Sequence, residues 1–172
     1  MPKVVVVYLS TSGNTKAMAD AIVDGANSRN ANAKAVNFHE AKIEDIIAAD
    51  AIAIGSSTFH YKMLPPMEKF IEDLKKANVA GKVGAAFGSY GWSGEAPIMI
   101  AEKMRELGMN VIDPVLRIQY QPTEKDLDEC KRLGKDIVSK VKKIAEKPTR
   151  AGSGSKLEDV SVREVKMGES GH

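Results

Sequence analysis

The fold turns on Lys3-Val4-Val5-Val6-Val7-Tyr8-Leu9 and on the segment directly after it, Ser10-Thr11-Ser12-Gly13-Asn14-Thr15. The first segment is a continuous, β-branched run. A strand with one wet face alternates apolar and polar residues; an unbroken run reads as a strand covered on both faces, as in a parallel sheet. The small polar residues from Ser10 to Asn14 end it. Met18, Ala21, Ile22 and Gly25 then recur at helical spacing. The chain therefore passes from a buried strand, through a hydroxyl-rich turn, straight into a helix.

The same alternation repeats downstream. Residues 33–38 form a weaker strand candidate and residues 51–54 a stronger one, ending at Gly55. Pro65 and Pro66 mark a helix start, where a missing N–H costs nothing, and Met67, Phe70, Ile71 and Leu74 give it a buried stripe. Residues 82–87 predict a fourth strand ending at Gly88. Ser93 is the expected cap of a helix with Ile98, Ala101, Met104 and Leu107 inward. Residues 110–118 predict the fifth strand, and Thr123 caps a long last helix with Leu127, Cys130, Ile137, Val141 and Ile144 on one face. Strands alternating with helices imply an α/β fold: a five-stranded parallel sheet, order 2-1-3-4-5, helices on both faces, right-handed crossovers. In that topology the ligand crevice lies outside the carboxyl ends of strands 1 and 3.

The bulk numbers agree. At 172 residues, 43% hydrophobic and 28% charged, the chain suits one soluble domain. A formal charge of +2 gives no reason to expect a nucleic-acid partner. No apolar run is long enough to span a membrane, and there is no signal peptide. Cys130 is the only cysteine, which excludes an intrachain disulfide and fits a cytoplasmic protein; on an apolar stripe it reads as a core thiol. The domain is expected over residues 1–147. Pro148 stops the last helix, Gly152-Ser153-Gly154-Ser155 reads as a flexible linker, and residues 148–172 read as linker and tail, with a docking segment as the alternative. Residues 131–147 carry seven basic side chains against two acidic ones, a solvated face or a partner surface.

Three loops carry the chemistry. Ser10-Thr11-Ser12-Gly13-Asn14-Thr15 places backbone N–H groups and the positive end of a helix dipole around one point, with four hydroxyls and an amide as further donors. Gly13 lets the backbone bend close to a ligand. With no lysine or arginine, the loop suits a phosphate monoester held by neutral dipoles, and it lacks both the P-loop ending and the dinucleotide fingerprint. The second loop is Gly55-Ser56-Ser57-Thr58-Phe59-His60-Tyr61 and the third Gly88-Ser89-Tyr90-Gly91-Trp92-Ser93-Gly94-Glu95. Together they hold four of the nine phenylalanine, tryptophan and tyrosine residues. Large aromatics in loops need something flat to cover. Phe59 could equally close the top of the core.

These residues resemble a known family. The first loop resembles the phosphate fingerprint of flavodoxins, and the other two are similar to that family's flavin-ring loops. Residues 88–95 are especially similar to the flavodoxin domain of flavodiiron (A-type) flavoproteins, and the resemblance covers residues 2–146. It implies a flavodoxin-like fold with non-covalent FMN: phosphate on Ser10, Thr11, Ser12, Asn14 and Thr15 around Gly13, ring between Ser57, Thr58, Phe59, His60, Tyr61 and Ser89, Tyr90, Gly91, Trp92, Gly94, Glu95. FMN does the redox chemistry, so no side chain is expected to be catalytic. The implied partner is a redox protein, iron–sulfur or diiron, served by a free carrier or by an FMN subunit of a larger assembly or oligomer. Free carriers of the family are usually strongly acidic, and this chain is not. The chain begins at the first strand, with no diiron domain ahead of it, and His39, His60 and His172 show no metal-ligand spacing. The alternative function is an NAD(P)H-dependent FMN or quinone reductase on the same fold, which needs open room over the flavin.

Overall fold

The unbroken valine run is explained by two cores. In strand β1 (Lys3–Leu9), Val4, Val6 and Tyr8 enter the core on one face of the sheet, and Val5 and Val7 enter the core on the other. Successive side chains of a strand point to opposite faces, so burial on both sides demands apolar residues at every position. The computed structural model describes residues 1–10, 13–59, 62–63, 65–91, 94–113 and 115–146, without the side chains of residues 58, 59, 62 and 63. The expected linker and tail, residues 148–172, lie outside the described residues.

β1 is flanked by β2 (Asn32–Asn37) and β3 (Ala51–Ser56), both parallel to it. β3 pairs in parallel with β6 (Val83–Tyr90). Between them, β4 (Thr58–Phe59) and β5 (Lys62–Met63) form a separate antiparallel ribbon. The fifth position of the sheet is shared by β7 (Asn110–Val111) and β8 (Leu116–Gln119), which pair with the two halves of β6. The order is 2-1-3-4-5, as expected, but the fifth strand is broken rather than continuous over 110–118. The interruption contains Pro114, which has no N–H to give a ladder.

Helices α1 (Asn14–Asn27) and α5 (Glu124–Glu146) cover one face; α2 (Ile43–Ala48), α3 (Pro65–Asp73) and α4 (Glu95–Glu106) cover the other. α1 and α5 touch through two glycines: a Cβ on Gly25 would collide with the Lys131 backbone, and one on Gly134 with the Ile22 carbonyl. α4 buries Ala96, Pro97, Ile100, Ala101 and Met104, while Ile98 is 37% exposed. Of the expected stripe, Ala101 and Met104 are buried and Leu107 packs against the core, while Ile98 alone faces outward. The cap of α4 is Gly94, not Ser93.

Candidate functional site

The first loop leaves β1 at Leu9 and turns sharply. Ser10 Oγ accepts the Gly13 N–H at 2.9 Å. Gly13 stands at the N-cap of α1 with φ 89°, and no side chain caps the helix there. Its left-handed backbone favours glycine, and the space a Cβ would enter is open. The first helical bond runs from Ala17 N to Gly13 O at 3.0 Å. The N–H groups ahead of it have no carbonyl to meet within the helix. No acidic residue stands in the first turn. Lys16, the cation in that turn, is held by Asp20 at 3.0 Å, and this partner raises its pKa. The donors at this helix end are therefore neutral.

A buried hydroxyl cluster ties the loops together. Thr15 is fully buried, and its Oγ1 shares hydrogen bonds with Ser89 Oγ at 2.9 Å and Ser57 Oγ at 3.2 Å. Ser56, also fully buried, donates from Oγ to the Ser57 carbonyl at 3.0 Å. One threonine on the first turn of α1 thus joins the ends of β3 and β6. β3 and β6 approach closely because Gly55 leaves room for the Phe87 ring, and Gly88 leaves room for the Ser56 carbonyl. The structure therefore brings Ser10, Gly13, Asn14, Thr15, Ser57 and Ser89 to one end of the sheet. Thr15 reaches it as an enclosed link between loops.

Gly88, Ser89 and Tyr90 belong to strand β6 rather than to a loop. The third loop proper begins at Gly91. Gly94 is buried because a Cβ there would come within 3.1 Å of both the Tyr90 ring and the Arg117 side chain. Glu95 opens α4, and its Oε2 is buried without a hydrogen-bond partner among the described residues. Thr11, Ser12, His60, Tyr61 and Trp92 lie outside the described residues, as do the side chains of Thr58 and Phe59.

Two residues of β8 and Tyr120, directly after it, also belong here, although their sequence carries no motif that marks them. Arg117 Nη1 donates to Gly94 O at 3.5 Å, Gln119 Nε2 donates to Gly91 O at 3.3 Å, and the Tyr120 ring lies beside Gly91. The one available signal was position, since they lie at a strand's carboxyl end, where the ligand crevice is expected. Among the described residues, no cluster of three or more histidine, cysteine, aspartate or glutamate side chains could hold a metal. No described helix is long and apolar enough to cross a membrane.

With this geometry in place, comparison with known proteins is decisive: the flavodoxin family model matches residues 6–134. The chain belongs to the flavodoxin family. It is similar to the solved structure of a flavodoxin from the domain Archaea, with 64% identity and a TM-score of 0.80, covering 81% of this chain and 99% of that one. It is also similar to the flavodiiron protein of Giardia intestinalis, at 27% identity and TM-score 0.78, over 84% of this chain and 37% of that one. The type A flavoprotein of Rhodobacter capsulatus is 33% identical over 137 residues, 77% of this chain and 32% of the relative. The chain spans about a third of the length of such curated relatives. The likeness of residues 88–95 to flavodiiron proteins is thus matched along most of the chain.

As a flavodoxin, the chain is an FMN-binding electron-transfer protein. The residues present fit that cofactor. Among the described residues no side chain caps the start of α1, a helix end whose N–H groups suit a phosphate, and Glu95 Oε2 has no donor of the kind that a flavin or its ribityl chain carries.

Proposed function

We propose that residues 10–15 hold the FMN phosphate, that residues 57–61 and 89–95 flank the flavin ring, and that the bound FMN passes electrons to an iron–sulfur or diiron partner. The observation that carries this reading is the hydroxyl cluster at Thr15, which fixes the α1 turn to the ends of β3 and β6. One small anion-bearing planar ligand can then meet all three loops. FMN supplies the redox chemistry when bound; the chain's residues bind it, orient it and limit access to it. Similarity to a flavodiiron protein supports a partner with an iron centre, either in a larger assembly or met as a free protein. The domain is taken as residues 1–147, with residues 148–172 as linker and tail, and the single buried cysteine suits the cytoplasm.

Two measurements test the reading. Flavin extracted from the purified protein should be FMN by chromatography; FAD, or equal affinity for riboflavin, would defeat the phosphate assignment. In anaerobic stopped flow, reduced ferredoxin or dithionite should reduce the bound flavin quickly, and NADH and NADPH slowly. Reduction by either nucleotide at ordinary enzymatic rates, on the order of 10 per second, would restore the reductase alternative, which the family match does not favour.

A further inference from the structure

Tyr120 is held in a conformation that its residue type resists. Its φ is 60°, and for a bulky residue a positive φ is a genuine outlier. The other non-glycine residues with positive φ among those described are Asn30 and Asn78, and asparagine tolerates that region by bonding locally. Burial does not explain the tyrosine, because it is 63% exposed. What holds it is the end of the sheet. Its N–H donates to the Tyr90 carbonyl at 2.7 Å, one step beyond the last β6–β8 pair, Tyr90 and Gln119. This leaves the ring beside Gly91, where an added Cβ would come within 3.6 Å of it. The neighbouring Gln119 holds the Gly91 carbonyl, and Arg117 holds that of Gly94. Both glycine ends of the third loop are thus gripped from one short strand.

A chain that merely had to reverse direction here would do so at lower cost with glycine or asparagine. Backbone strain that persists is over-determined by its surroundings and clusters where a site is pre-organised. We infer that Tyr120, with Gln119, is a positioning residue: the two fix Gly91, so that the backbone leaving β6 is set before the isoalloxazine ring binds. This rests on the reading that residues 89–95 flank the flavin. Pre-organisation of a loop raises affinity by removing an ordering cost from binding. Because the effect acts on the ring, it is the same for FMN and riboflavin.

The test is titration of the full-length apoprotein with FMN and with riboflavin, alongside thermal melts of the apoprotein, for wild type, Tyr120→Gly and Tyr120→Phe. Tyr120→Gly should weaken both flavins equally, on the order of tenfold, with an apoprotein melting temperature equal to or above that of wild type. Tyr120→Phe, which keeps the ring, should restore wild-type affinity. Wild-type affinity in Tyr120→Gly, loss of FMN affinity alone, or a melting temperature that falls with the affinity would each overturn the inference. A wild-type protein that binds FMN while Tyr120→Gly matches it sinks this inference only. A wild-type protein that binds neither flavin sinks the cofactor site and this inference together.

Discussion

The two ends of the sheet are finished in opposite ways. At the amino end the chain closes on itself. Asp50 Oδ2 accepts the Lys3 N–H at 2.8 Å, Lys82 Nζ donates to the carbonyls of Ala49 at 2.6 Å and Ile47 at 3.0 Å, and Asn110 Nδ2 donates to Gly81 O at 2.9 Å. At the carboxyl end, among the described residues, α1 and α4 start without side-chain caps and a buried glutamate oxygen has no partner. Polar groups out of water are nearly always satisfied in a folded protein. Among the described residues, the amino end satisfies its own polar groups, and the carboxyl end leaves room for a ligand to do so. The basic run also sorts itself in this comparison. α5 starts beside the crevice and ends near Asp50 and Lys82, so Lys140, Lys142 and Lys143 lie at the closed end. A partner docked there would not face the flavin site.

If the comparison is right, variants in the closed parts change stability, and variants at the open end change flavin affinity. The largest effect is expected at Cys130, buried on α5, whose thiol burial pushes up to about 12 from 9.0, aided by Asp126 and Glu129. The folded chain therefore keeps a proton that the unfolded chain releases above pH 9, and stability falls as pH rises from there towards 12. The limiting slope is about 1.4 kcal/mol per pH unit. Urea unfolding across that range should show the fall in wild type, and Cys130→Ala should show less of it. Identical slopes would mean that the thiol is not enclosed.

Next is the glycine contact between α1 and α5. Gly25→Val forces a side chain into the Lys131 backbone, which must push the helices apart at a cost of about 3 kcal/mol. Denaturant midpoints should show it. Flavin affinity, measured below the transition, should hardly change.

At the open end the expected change is in binding. Thr11→Ala should cost FMN about 1.5–3 kcal/mol of affinity, the worth of a hydrogen bond to a charged group, and leave riboflavin unaffected. Thr15→Val should behave differently, because its hydroxyl bonds Ser57 and Ser89. It should lower apoprotein stability by about 1–3 kcal/mol through the serines it strands, and weaken FMN and riboflavin together. Equal behaviour of the two variants would mean that the Thr15 hydroxyl, and not only its N–H, reaches the phosphate as that of Thr11 is expected to.

Much of the fold and part of the site were legible in the sequence, for identifiable reasons. The valine run of β1 announced a sheet buried on both faces, because only a two-sided core keeps four consecutive valines dry. Gly13 marked a turn with a left-handed backbone, which most side chains resist. What stayed hidden depends on tertiary placement. α2 spans six residues, too few for a helical period to stand out. The break between β7 and β8 involves one proline, which can equally begin or end a strand. Thr15 has the residue type of a phosphate ligand, and only its neighbours across the sheet show that its hydroxyl joins Ser57 and Ser89. Tyr120 was invisible in a different sense, since a positive φ at tyrosine contradicts every local preference and is imposed by the strand beside it.

The smallest effect sharpens the comparison most, because it concerns a helix start at the crevice end that the chain does finish itself. α5 begins with a reciprocal cap: Thr123 Oγ1 accepts the Asp126 N–H at 3.2 Å, and Asp126 Oδ2 accepts the Thr123 N–H at 3.0 Å. The arrangement is a capping box with aspartate in place of the usual glutamate. α1 begins with Gly13 and no such cap. If a missing cap merely reflected loose construction, adding or removing one would matter equally at either helix. If α1 is left open for a phosphate, the two starts respond to different things. Thr123→Ala should cost about 1 kcal/mol of stability, the usual worth of an N-cap, by the same amount with and without FMN. The start of α1 should instead be stabilised by the ligand: its amide protons at Asn14, Thr15 and Lys16 should exchange more slowly when FMN is added, and those at the start of α5 should not. Hydrogen exchange on wild type and Thr123→Ala, with and without FMN, measures both. Equal protection of the two helix starts by FMN would erase the distinction between an end built to be closed and an end built to be filled.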